Sequence, residues 1–151
     1  MRIEQRIREL GIALPEASKP KAMYIPVKRA GNLLFVSGQL PIKDDGGLLT
    51  GKLGQERSLE YGQDAARRCV INMLAALKSE LGDLDLVKGV IKLQSFVNSE
   101  AGFTQQHIVT NAASELLYEV FGEIGRHART AIGTNQLPLD ATVEIEAIVE
   151  V

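Results

Sequence analysis

Val143-Glu144-Ile145-Glu146-Ala147-Ile148-Val149-Glu150-Val151 carries an apolar residue at every odd position and three glutamates among the even ones. That period of two is the mark of a strand with one face in a core. Just upstream, Gly125-Arg126-His127-Ala128-Arg129-Thr130-Ala131-Ile132-Gly133 gathers Arg126, His127 and Arg129 where the chain enters another strand. A guanidinium fixed there offers a planar fork that matches the two oxygens of a carboxylate. Glu144 and Glu146 share one face of the terminal strand, because side chains alternate. An arginine that holds an acid and a glutamate that activates water are the minimum parts of a hydrolytic site for a small carboxylated substrate. The same residue types on neighbouring strands also make an ordinary solvated cross-strand pair.

Composition narrows the class. The 151 residues suit a single domain over 1–151 with a real core, and 45% hydrophobic with 24% charged residues argues for a globular protein. A net charge of −2 without a dense Lys/Arg run argues against nucleic acid as the main partner. Cys69 is the lone cysteine, so no internal disulfide forms, and a reducing cytoplasm is the expected setting. Two histidines and no Cys/His spacing of the zinc type argue against a metal site. No stretch has the length and apolarity of a membrane span, and no apolar leader-like segment is seen.

Working outward, residues 1–12 read as a short helix with Ile3, Ile7 and Leu10 on one face and Gly11 as its stop. Pro15 and Pro20 mark an extended connector. Met23-Tyr24-Ile25-Pro26-Val27 reads as a short edge strand, Arg29 to Asn32 as a turn, and Leu33 to Pro41 as a buried strand that ends in the small polar patch Ser37-Gly38-Gln39. Gly38 permits close approach of a ligand or of another backbone, or marks a bulge. Asp44 to Gly47 is a hairpin-type turn. Thr50-Gly51-Lys52-Leu53-Gly54 lacks the spacing of a phosphate loop. Ser58 to about Leu81 is the longest helix, with Cys69 inside its apolar stripe. Leu84 to Val97 contains a second long strand, and Phe103 to Phe121 a second long helix. The order strand, strand, helix, strand, helix, strand, strand predicts an α+β sandwich, with two helices on one face of a mixed sheet. The other face stays uncovered in a monomer, which predicts oligomerisation.

The chain resembles the Rid family of reactive intermediate deaminases, the YjgF-like proteins also labelled endoribonuclease L-PSP. The resemblance spans about residues 20–151. It rests on Leu34-Phe35-Val36-Ser37-Gly38-Gln39-Leu40-Pro41, on Ala128-Arg129-Thr130-Ala131-Ile132, and on Leu137-Pro138 leading into Val143-Glu144-Ile145-Glu146-Ala147. It implies a chorismate-mutase-like α+β fold in residues 21–151, after an N-terminal helix and connector in 1–20. It further implies a homotrimer whose inter-subunit clefts hold the ligand. The implied activity is hydrolysis of enamine and imine intermediates, released by pyridoxal-phosphate dehydratases, to 2-keto acids and ammonia. No cofactor is implied.

Carried over position by position, Arg129 pairs with the substrate carboxylate and Glu144 handles water. Tyr24, Ser37, Gly38 and Gln39 match the substrate-binding positions. Three departures mark a side branch. Ala131 stands where the family has cysteine, Ala22-Met23 replaces the Gly-Pro before Tyr24, and a longer segment before Arg129 supplies Arg126 and His127. His127 is a candidate acid/base or carboxylate contact, or a structural residue at a subunit edge. The family's asparagine on the second helix has no secure match, and His107 is the nearest candidate. Retention of Arg129 fits an imine deaminase and equally a non-catalytic module that binds a 2-keto acid. A ribonuclease is disfavoured by the acidic balance and by the absence of a paired-histidine site.

Overall fold

The computed structural model describes residues 2–19 and 22–151, so Pro20 of the expected connector lies outside the described residues. Helix α1 spans Arg2–Glu9 and turns Ile3 and Ile7 into the core. Its first amides, of Arg2 and Ile3, donate to the Asp85 carboxylate at 2.9 and 2.8 Å, so a turn far along the chain caps this helix. Gly11, at φ 76°, ends it as expected.

Strands β1 (Val27–Ala30) and β2 (Leu33–Gln39) form a hairpin around Gly31-Asn32. This corrects the expected first strand. Met23, Tyr24 and Ile25 stand exposed outside the sheet, and Arg29 and Ala30 are strand rather than turn. The reason is Pro26, which lacks an amide and instead offers its carbonyl to the Ser37 N–H at 2.8 Å. Helix α2 (Leu59–Leu81) is capped by Ser58, whose hydroxyl accepts from the Tyr61 N–H, and it closes at Gly82. Cys69 is fully buried in it, where burial pushes the thiol pKa well up, so it acts as a small hydrophobe.

A 3₁₀ turn at Leu84–Leu86 precedes β3 (Gly89–Asn98), the strand expected within Leu84 to Val97, which runs one residue further. A register shift between Val90 and Lys92 sends Ile91 outward, although simple alternation would bury it with Leu93. Helix α3 (Gln106–Phe121) begins three residues beyond the expected Phe103 and is followed by β4 (Ala128–Thr134) and β5 (Val143–Glu150).

The sheet order is β1-β2-β5-β3-β4. All neighbours are antiparallel except β3 and β4, which are joined through α3 as a parallel crossover. Helices α2 and α3 pack together across one face, and α1 leans on α3. Val143, Ile145, Ala147 and Val149 of central β5 are buried beneath them, while Glu144, Glu146, Ile148 and Glu150 face away. Among the described residues, no helix covers that second face, where Phe35 pairs with Ile148 and Phe96 with Ile132. Among the described residues, no helix is long and apolar enough to cross a membrane.

Leu93 is fully buried where β3 meets the helices. Leu93→Ala is expected to lower unfolding stability by roughly 2–5 kcal/mol in a denaturant titration, the usual cost of a core cavity.

Candidate functional site

The register of β3 against β4 decides where Arg129 sits. Arg129 pairs with Leu93 and Ala131 with Ser95. Both β3 partners point to the helix-covered face, so Arg129 and Ala131 do too. At this edge of the sheet α3 reaches the arginine directly. Its Nη1 donates to Asn111 Oδ1 at 2.9 Å and to Ser114 Oγ at 3.2 Å, and its Nη2 donates to the His107 carbonyl at 3.4 Å. Nε–H has no protein acceptor among the described residues, and Nη2 makes only the long bond to the His107 carbonyl. Nε–H and Nη2 form the side-on edge of the guanidinium, which is the geometry that takes a carboxylate fork. Asn111 contacts Arg129 through its side chain, while His107, the nearest candidate for the family's asparagine, contributes its backbone carbonyl.

His127 lies two residues before Arg129 and is half-buried. Its Nδ1 is 2.7 Å from the Gly125 carbonyl, which can only accept, so Nδ1 carries the proton. Its Nε2 is 2.9 Å from Ser114 Oγ. Burial lowers the imidazole pKa below 6.5 and the nearby Arg129 charge adds to this, against the raising effect of the Gly125 bond. The ring is therefore neutral near pH 7, and Nε2 accepts the Ser114 hydroxyl proton. Gly125 holds this arrangement by close approach. A Cβ there would stand 2.3 Å from the Leu117 carbonyl oxygen of α3. Ser114, Glu115, Tyr118, Glu119, Arg126, His127 and Arg129 surround a cavity of about 470 Å³.

The remaining candidates gather elsewhere. Glu144 pairs with Phe96, three residues along β3 from the partner of Arg129, and so projects from the opposite face of the sheet. Strand β3 also lies between β4 and β5, which rules out an Arg129–Glu144 pair across neighbouring strands. Glu144 instead packs on Gly38, where an added Cβ would meet its Cδ at 3.0 Å. Gly38 and Gln39 sit at a register shift in β2 and line a small cavity of about 100 Å³ with Tyr24. Ser37 Oγ donates to the Ile25 carbonyl and so ties down the segment that carries Tyr24. One chain therefore carries two clusters, Arg129 with Asn111, Ser114, His127 and Ala131, and Glu144 with Tyr24, Ser37, Gly38 and Gln39.

Residues 4–151 match the family described as "YjgF/chorismate mutase-like, putative endoribonuclease". The chain belongs to this family. It is 48% identical over 150 residues to Protein TCP17 of Trypanosoma cruzi, covering 99% of this chain and 94% of that one. A crystal structure of a protein of unknown function from Agrobacterium tumefaciens is 48% identical, covers 99% of this chain and 93% of its own, and superposes with TM-score 0.91. A Shewanella oneidensis structure, described as a "putative endoribonuclease", is 31% identical, covers 99% of both chains and reaches TM-score 0.94. A more distant relative, 25% identical over 139 residues, with 91% of this chain and 93% of that one covered, is the 2-iminobutanoate/2-iminopropanoate deaminase of Dermatophagoides farinae. The expected α+β architecture of the YjgF family is thus the one observed.

Within this YjgF-like fold, Glu144 is half-buried beside Glu146, and burial first, then the like charge, raise its pKa above 4.5. The folded chain holds this proton more tightly than the unfolded chain does. The resulting stabilisation is full below 4.5 and is lost as pH rises through the folded value. Glu144→Gln, always neutral, should melt higher than the wild type near pH 7 and together with it near pH 4, as followed by thermal unfolding across that range.

Proposed function

We propose that this protein hydrolyses small, reactive 2-imino and enamino acids to 2-keto acids and ammonia, with Arg129 as the carboxylate anchor. The observation that carries this reading is the state of Arg129. Its Nη1 and Nη2 are held by α3 while its Nε–H is left without a protein acceptor beside a cavity. A guanidinium fixed in this way orients a substrate without having to be ordered by it. The distant deaminase relative supports the same chemistry.

The reaction asks little of a protein. A protonated imine carbon is electrophilic, and a held carboxylate fixes its face toward water. Glu144 serves as the acceptor of the water proton, the part of a positioned general base. Because Glu144 and Arg129 occupy opposite faces of one sheet, the proposed site is completed between copies of the chain. The Tyr24, Ser37, Gly38, Gln39 and Glu144 cluster of one copy then faces Arg129 of another, in the trimer that the family resemblance implies. The uncovered sheet face with Phe35, Ile132 and Ile148 supports such an assembly. The ribonuclease label has less support, since a net charge of −2 offers little to a phosphate backbone.

The test is release of 2-keto acid from freshly generated 2-iminopropionate and 2-iminobutyrate. The protein should exceed the spontaneous rate. Arg129→Ala should lower kcat/KM by about a hundredfold or more, since a lost charge-assisted fork is worth roughly 3 kcal/mol, while fold and oligomeric state persist. No acceleration with either imine overturns the deaminase and leaves a module that binds 2-keto acids, visible as an Arg129-dependent rise in melting temperature with ligand.

A further inference from the structure

Ser114 stands between two residues that the chain brings up to α3. Its Oγ lies 3.2 Å from Arg129 Nη1 and 2.9 Å from His127 Nε2, and His127 Nδ1 lies 2.7 Å from the Gly125 carbonyl. That carbonyl sets the proton order along the chain of bonds. It only accepts, so Nδ1 carries the ring proton and Nε2 is an acceptor. The Ser114 hydroxyl proton goes to Nε2, and the Oγ lone pairs remain for the guanidinium, which only donates.

We propose that Ser114 and His127 are positioning residues that hold the Arg129 guanidinium in one orientation before a ligand arrives. The proposal rests on the reading of Arg129 as a carboxylate anchor, and neither residue takes part in the chemistry.

Arg129 sits on β4, an edge strand, and is only partly buried. A long side chain in that place samples many rotamers, and ordering it on binding costs affinity. Here both Nη1 protons are taken, one by Asn111 Oδ1 at 2.9 Å and the other by Ser114 Oγ. A single acceptor would leave the planar group free to swing about that one contact. Two acceptors on Nη1 fix its plane, and the direction of Nε–H follows from the plane. Ser114 is available for this because of His127. A serine or threonine inside a helix ordinarily turns its hydroxyl to the carbonyl four residues back, as Thr110 does toward Gln106 at 2.8 Å. The neutral imidazole offers Ser114 a competing acceptor. A hydroxyl that donates is also polarised into a stronger acceptor, so the His127 bond strengthens the one to Arg129. His127 therefore acts on the anchor through Ser114 Oγ.

The experiment reads Arg129 directly, in the full chain without ligand. Nitrogen-15 NMR of arginine side chains shows separate Nη signals where guanidinium rotation is hindered and an averaged one where it is free. Wild type should show separate Arg129 Nη signals, identified by their loss in Arg129→Lys. Ser114→Ala should merge them, while Ser114→Thr, which keeps a hydroxyl, should leave them apart. The variants are then titrated with 2-oxobutanoate. Ser114→Ala and His127→Ala should each weaken binding by about three- to tenfold, the cost of ordering one long side chain. The double variant should bind no more weakly than Ser114→Ala alone, because both residues act through one oxygen. Separate Nη signals that persist in Ser114→Ala, or losses that multiply in the double variant, would overturn the positioning role and leave the anchor standing. Separate wild-type signals with no binding of 2-oxobutanoate would instead overturn the anchor reading, and the proposal with it. Alanine is the best helix former, so Ser114→Ala preserves α3 and its result stands even where His127→Ala disturbs the fold.

Discussion

The parallel pairing of β3 with β4 is the constraint on which the candidate site depends. It places Arg129 opposite Leu93, on the side of the sheet where α3 runs, and not on the open side with Glu144 and Glu146. An arginine on the open side would be a solvated charge among glutamates. On the helix side it meets Asn111, Ser114 and the His107 carbonyl, which hold Nη1 and Nη2 and leave Nε–H without a protein acceptor among the described residues. A parallel strand needs a crossover, and here the crossover is α3 itself, so the element that permits the pairing also supplies the contacts.

Much of the fold was legible because its signals are local. The odd-position apolar run in β5, the capped stripe of α2 and the Gly31-Asn32 turn each follow from residues within one or two turns of chain. The misreadings have non-local causes. Met23 to Val27 has strand-like residues, but the Pro26 carbonyl is taken up by Ser37 and the segment stays outside the sheet. Arg129 and Glu144 were identifiable by position, yet their separation onto opposite faces depends on strand order and on the parallel register, which periodicity does not encode. Asn111 and Ser114 went unnoticed because two polar residues three apart on a helix look like an ordinary solvent face. Their value appears only when β4 brings Arg129 and His127 to them.

The division of the candidate residues gives the molecule a consistent logic. One cluster sets Ser114 and a neutral His127 ring beside a fixed cation. The other presents a half-buried carboxylate whose proton affinity is raised by burial and by Glu146. Placed together on one face, the two would form an ion pair that occupies the anchor and pulls the pKa of Glu144 down; the sheet separates them within the chain. Ala131 shares the face of Arg129.

The central claim is that the Nε/Nη2 edge of Arg129 receives a carboxylate. The most direct measurement follows the Arg129 Nε–H resonance by nitrogen-15 NMR while 2-oxobutanoate, a stable keto-acid product, is titrated. The account predicts a saturable shift of that resonance, with slowed exchange of its proton, that parallels the rise in melting temperature caused by the ligand. A ligand that raises the melting temperature while the Arg129 Nε–H resonance stays in place would contradict it.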